Sequence, residues 1–139
     1  MVTYSGLTPV NADSLGTTFA QKGLLVKRNG ANIEVTTDKA DIPVAVTIDE
    51  SSRGADGALE AAADATVTVV PLSGVQYLTI HTAGLLTIGE SIYVHTAGSA
   101  AENGRVSTTS AGAKFVGYYM GESYTSVSGD LIPVLCRSA

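Results

Sequence analysis

The clearest alternation of apolar and polar positions lies in residues 74–95. Val75, Tyr77, Thr79 and His81 fall on one side of a period-two pattern and Gln76, Leu78, Ile80 and Thr82 on the other, as an extended strand distributes its side chains. A second β-rich run, Ile92, Tyr93 and Val94, follows, with Gly84 and Gly89 punctuating the space between. These two runs predict a central pair of strands to which the rest of the chain is added.

Similar segments recur on both sides. Residues 24–27 and 33–37 flank Arg28, Asn29 and Gly30, and Asn-Gly between β-rich runs signals a hairpin. A strand is expected over 43–48, opening at Pro43 where a missing N–H is harmless. Residues 66–72 alternate cleanly up to Pro71. Residues 97–103 read as a small polar loop, after which Gly104 opens a short run over 105–108. A strand over 114–120 contains Gly117, the mark of a bulge or a close backbone approach. A turn over 126–129 and a last strand over 130–136 close the chain. In 53–65, Asp56 is placed to cap a short helix over 57–63, which needs packing to hold it and is otherwise a loop. About nine short strands and at most one short helix predict an all-β fold, a small compact barrel or sandwich.

A faint echo divides the chain in two. Val35-Thr36-Thr37 and then residues 42–46 parallel Val106-Ser107-Thr108-Thr109 and then residues 114–118, with a one-residue shift in spacing and with Glu50-Ser51 and Glu122-Ser123 at matching offsets. Ahead of both halves, residues 1–22 scatter Val2, Tyr4, Leu7 and Val10 irregularly among Thr, Ser, Gly, Pro and Asn. They predict an extended N-terminal arm preceding a single β domain over 23–139. Such an arm either frays or lies on a partner, adding a strand to a sheet edge.

Composition narrows the function classes. With 139 residues, 45% apolar and 15% charged, the chain is expected to fold as one domain. It has no Trp and only two Phe, so it supplies little aromatic bulk and stands to gain from burying surface in an oligomer. The net charge is −5, eight of the thirteen acids lie in 34–64, and no basic stripe is present, which argues against nucleic acid as a partner. No apolar run is long enough for a membrane span. Residues 1–16 lack the basic start and apolar centre of a secretion signal, so synthesis and folding in a cytosol are expected. Cys136 is the single cysteine; it forms no intrachain disulfide and, within the apolar run 131–136, reads as a buried, inert thiol.

Chemistry is sparse. His81 and His95 would supply half a metal site, but no Cys, Asp or Glu stands beside them at ligand spacing. Hydrogen-bonded or solvent-facing histidines are therefore expected, with no metal and no cofactor. Asp49 and Glu50 would point to opposite faces of a strand and suit a solvated turn. No Ser-His-Asp order, phosphate-binding loop or zinc motif is present. Ala83-Gly84-Leu85-Leu86 resembles part of the signature of the trimeric deoxyuridine triphosphate hydrolases, but Thr87 stands where the water-activating Asp is required. A non-enzyme is expected, with no catalytic residue assigned.

From Gly84 onward the chain resembles a known family. The carriers are Gly84-Leu85-Leu86-Thr87-Ile88-Gly89-Glu90-Ser91-Ile92-Tyr93-Val94, Gly104-Arg105-Val106, Phe115-Val116-Gly117-Tyr118 and Ser128-Gly129-Asp130-Leu131-Ile132-Pro133-Val134. Lys22-Gly23-Leu24-Leu25-Val26 and Pro43-Val44-Ala45-Val46 carry the same cadence in the first half. This pattern, over about residues 22–136, resembles the small capsid decoration (cement, head-stabilising) proteins of tailed double-stranded DNA phages, the lambda-like type included. The resemblance implies a compact β-tulip-like domain that trimerises on the exterior of an expanded capsid and stabilises the shell. Its partners would be the phage's major capsid protein and two further copies of itself. It makes Val2, Tyr4, Leu7 and Val10 candidates for a capsid-binding arm, and Phe115, Tyr118, Tyr119, Met120 and Tyr124 candidates for the trimer surface. The alternative that Phe115 and Tyr118 or Tyr119 fill the domain's own core stays open. Residues 53–65 depart from the family pattern and read as an insertion. A sugar-binding or adhesive β module on a virion is the second reading, against which the lack of Trp counts.

Overall fold

The computed structural model describes residues 8–12, 23–29, 32–47 and 65–137. The expected helix over 57–63, Asp49, Glu50 and arm residues Val2, Tyr4 and Leu7 lie outside these segments. The described chain is all-β: β1 (Thr8–Ala12), β2 (Leu25–Asn29), β3 (Asn32–Val35), β4 (Ala45–Thr47), β5 (Ala65–Pro71), β6 (Gly74–Thr79), β7 (Gly84–Leu86), β8 (Ser91–Val94), β9 (Val106–Ser107), β10 (Phe115–Tyr119), β11 (Tyr124–Ser126) and β12 (Leu131–Cys136). Val, Ile, Thr and Tyr populate these strands, where branched and aromatic side chains fit a pleated surface. The expected loop over 97–103 contains a single 3-10 turn, Ala100–Glu102.

The internal echo corresponds to a repeated topology. The first sheet, read from its third strand, runs β3-β2-β4-β5-β1; the second runs β9-β8-β10-β12-β6. With β7 and β11 set aside as a separate two-stranded sheet, both halves have the order third, second, fourth, fifth, first. Each half also brings its first and third strands together in parallel: Ala12 pairs with Ile33 in one, and Ile80, just past β6, bridges to Val106 in the other. In the first half this closes the strands into a barrel. The echoed segments overlap the third and fourth strands of each half, at Val35 and residues 45–46 in one and at Val106, Ser107 and residues 115–118 in the other.

Two glycines allow the halves to join. The Gly104 N–H donates to the Thr36 carbonyl at 2.7 Å, and its own carbonyl accepts from Leu25 N–H at 2.8 Å. Gly23 donates to the Thr47 carbonyl at 2.8 Å and accepts from Thr79 N–H at 2.9 Å. Both have positive φ, +78° at Gly104 and +72° at Gly23, where a side chain is strained. A Cβ would also lie 2.8 Å from Leu24 Cβ at the first and 2.7 Å from the Tyr77 carbonyl oxygen at the second. Across this junction the main core is continuous: Leu25 and Val46 of the first half pack with Leu78, Ile80, Ile92, Val106, Ile132 and Val134 of the second. Leu24, Val26, Val35, Ala45 and Val69 form a smaller core inside the first half. Cys136 belongs to the main core, and burial pushes its thiol up to about 11, consistent with an unreactive sulfur.

Three expectations need adjustment. The runs at 74–79 and 91–94 are strands of one sheet but not a pair: β12 and β10 lie between them, because β6 takes β12 as partner and β8 takes β10 and β9. Periodicity identifies a strand, but partners are chosen by the topology of the whole half. Part of the expected arm, Thr8–Ala12, pairs with β5 of this same chain in register Val10 to Val67. The hairpin of β2 and β3 is present, but it pairs Asn29 with Asn32, so the link is residues 30–31 and not Asn29-Gly30.

Gly117 marks both things expected of it. The β10–β8 register shifts between Phe115 and Gly117, and a Cβ at Gly117 would collide with the Leu135 carbonyl on β12. Since the obstacle is backbone, Gly117→Ala should destabilise the fold by about 1–3 kcal/mol. Denaturant unfolding checks this; an unchanged midpoint would mean that β10 and β12 separate at little cost.

Candidate interaction face

β12 reads Leu-Ile-Pro-Val-Leu-Cys without a polar residue. Strand alternation sends Ile132, Val134 and Cys136 into the core, leaving Leu131, Pro133 and Leu135 on the outer face. Directly paired residues share a face, so the register extends this outer surface across its neighbours. On β6, Val75 pairs with Leu135 and Tyr77 with Pro133; on β10, Tyr118 pairs with Leu135. Tyr77 is 62% exposed, Val75 52%, Leu131 46% and Tyr118 36%. Over β6, β12 and β10 the second sheet is therefore apolar on its outer as well as its inner face, whereas a one-sided sheet alternates apolar with polar; Ser91, opposite Tyr118, marks where polar residues resume on β8.

Aromatic rings continue the face towards β8. Phe115 packs edge-on to Tyr118 with ring centroids 5.1 Å apart and to Tyr93 at 5.9 Å. Phe115 also borders a groove shared with Ile42, Pro43, Val44 and Leu72 of the first half, flanked by Lys114 and Arg137. Ile42 is 68% exposed there.

The five residues expected at a trimer surface are thereby sorted. Phe115 and Tyr118 meet on the outer face, and Met120 is exposed at the end of their strand. Tyr119 turns inward instead: it is buried in the main core, and its hydroxyl donates to the Glu122 carbonyl at 2.6 Å. Consecutive strand residues point to opposite sides, so Tyr118 and Tyr119 cannot share a surface. Tyr124 is exposed but lies in β11, in the small sheet with β7. Val10 lies in β1. Val75, Tyr77, Leu131, Pro133 and Leu135 were read from the sequence as strand positions and not as an exposed surface, although the unbroken apolar run at 131–136 is its signal.

Tyr124 anchors the following turn. Its hydroxyl donates to Asp130 Oδ2 at 2.6 Å, and the same oxygen accepts from Val127 N–H at 2.8 Å. The tyrosine hydrogen bond, then the backbone one, hold the Asp130 carboxyl below its ordinary value of 3.8. The same bond holds the Tyr124 phenol above its ordinary value.

Elsewhere, residues read as unconnected come together. His81 and His95 stack with ring centroids 4.0 Å apart, and Glu102 Oε1 lies 2.8 Å from His95 Nε2 and 3.4 Å from His81 Nε2. Glu102 was overlooked because it belongs to the loop over 97–103; the available signal was an acid seven residues beyond His95. The His95 hydrogen bond, then that from Gly98 N–H, hold the Glu102 carboxyl below its usual range. Burial, then the neighbouring His95, hold the His81 imidazole below its ordinary value against the pull of Glu102.

The folded Asp130 carboxyl has a lower pKa than in the unfolded chain, so the turn's contribution to stability is full above the ordinary value. It is lost as pH falls through the depressed one. In a carboxyl-carbon NMR titration, Asp130 should titrate below 3.8, and Tyr124→Phe should move its midpoint upward. An unmoved midpoint would remove the hydroxyl from the turn's electrostatics. Set against known proteins, the chain matches no family model, and no curated protein matches it.

Proposed function

We propose that this protein is a virion structural protein that binds the exterior of a tailed-phage capsid as a homotrimer and stabilises the expanded shell. The observation that carries the reading is the second sheet, apolar on both faces. A contiguous outer surface of Tyr77, Val75, Leu131 and Tyr118 is costly to leave in water and suits contact with another protein surface. Tyr and Met are the residue types enriched in such interfaces. The occupant we assign is a second copy of this chain. Full burial of such a side chain is worth about 1.5–3 kcal/mol, and these are already partly covered, so several per subunit must act together to offset the entropy cost of association.

Capsid binding is assigned to the segment before β1, with Val2, Tyr4 and Leu7. An arm adding about four backbone hydrogen bonds at roughly 1 kcal/mol each gains about 4 kcal/mol, close to a millimolar affinity. Three arms on one trimer act together, and linkage raises avidity by roughly a hundredfold or more. A clamp that binds only the assembled lattice then stabilises that lattice by mass action. Because Thr8–Ala12 belongs to the chain's own sheet, a truncation that tests the arm must stop before β1.

Sedimentation equilibrium of the purified protein should give a trimer, and Tyr77→Lys with Leu131→Lys should yield folded monomers. A wild-type chain that stays monomeric at high concentration would exclude this interface. Deleting residues 1–7 should leave soluble trimers that no longer bind expanded empty capsids of the phage whose genome carries the sequence. Retained binding would take the arm out of the mechanism. Glycan-array binding without capsid binding would favour the adhesive reading instead.

A further inference from the structure

The two histidines are suspended from consecutive carbonyls at one seam of the fold. His81, past the end of β6, donates its N–H to the Val106 carbonyl at 2.8 Å, and His95, past β8, donates to the Arg105 carbonyl at 3.1 Å. Their rings are thereby brought face to face, and the 3-10 turn in the β8–β9 connection delivers Glu102 to both. The geometry points to a divalent transition-metal site, with Zn²⁺ as its ion, formed by His81 Nε2, His95 Nε2 and Glu102 Oε1.

The donor chemistry supports that choice. Two imidazoles and one carboxylate form a three-ligand zinc set that leaves a fourth position for water. Imidazole nitrogen also favours zinc, copper and nickel over magnesium and calcium, which prefer oxygen. The three donor atoms lie within 4.8 Å of one another. Tetrahedral zinc with bonds of about 2.0–2.1 Å needs donors roughly 3.3 Å apart, so closure requires shifts on the order of an ångström. The stacked rings must also fan apart so that their in-plane lone pairs converge; the His81 side chain, 34% exposed, has room to turn. Convergence of a second imidazole on an oxygen that already has His95 as partner is the observation that points to a cation.

The surroundings orient the ligands as outer partners do in metal sites. Ser128 Oγ lies 3.4 Å from His81 Nδ1 and can accept a hydrogen bond from Nδ1–H, a tautomer that leaves Nε2 for the metal. Gly98 N–H and Ser99 Oγ hold the two oxygens of Glu102 at 3.3 and 3.4 Å. Arg105 opposes a cation here: its Nη1 donates to Ser128 Oγ at 2.9 Å, a neutral partner that leaves the guanidinium charge in place, and the Glu102 carboxylate is the group that offsets it. The bound ion would tie together the ends of β6 and β8 beside the single Ile80–Val106 bridge that brings the second half towards closure.

The test uses the full chain without a histidine tag, stripped of metal by chelator. Calorimetric titration with Zn²⁺ should give one ion per chain, a raised thermal midpoint and visible d–d absorption when Co²⁺ replaces it. His81→Ala and Glu102→Gln should each weaken binding at least tenfold, while Ser128→Ala should weaken it by about tenfold and retain the fold. Mg²⁺ should not compete. Zn²⁺ binding that is absent, equally strong in His81→Ala, or displaced by Mg²⁺ would overturn the assignment and leave a proton-sharing histidine–glutamate pair.

Discussion

Everything in this molecule depends on two backbones coming close enough to share hydrogen bonds at Gly104 and Gly23. The strands are short, the largest has seven residues, and each half is built from small side chains. A three-residue strand such as β4 or a two-residue strand such as β9 has little stability of its own. Bonds from Gly104 to Thr36 and Leu25, and from Thr79 to Gly23, which Thr47 of the first half holds from the other side, turn two such assemblies into one body with Leu25 and Val46 inside the larger core. Positive φ and the lack of room for a Cβ make glycine the residue that permits this crossing.

The repeated strand order gives the two halves different opportunities. In the first, β1 joins β5 through five paired residues and Ala12 meets Ile33, so the ring is closed by strand pairing. In the second, the corresponding closure rests on one bridge, Ile80 to Val106, flanked by the histidines and Glu102. In both halves this seam thus rests on one paired position, and in the second the histidines and Glu102 stand beside it. The second half also carries the apolar outer face, since β12 is apolar at every position.

A sheet with two apolar faces and a histidine–carboxylate cluster serve different ends. The outer face of β6, β12 and β10 provides area without directional chemistry, as suits packing against another protein surface. The cluster provides directional donors with little area. The two sets of residues do not overlap, so substitutions in one can be read without disturbing the other.

The all-β class, the strands at 66–72, 114–120 and 130–136 and the special role of Gly117 were legible in the chain itself. Alternation, turn residues and glycine placement are local properties that survive without a partner strand. Even the echo between the halves was visible in Val35-Thr36-Thr37 and Val106-Ser107-Thr108. Pairing was not: that β6 lies against β12 and not β8 depends on contacts more than fifty residues apart. The inward turn of Tyr119 and the outward turn of Tyr118 depend on the bulge at Gly117 and on which face the core occupies. Glu102 meets His81 and His95 only because the consecutive carbonyls of Arg105 and Val106 hold the ends of strands from different parts of the chain. Local pattern specified what each segment would be; only long-range hydrogen bonding decided which side chains would meet.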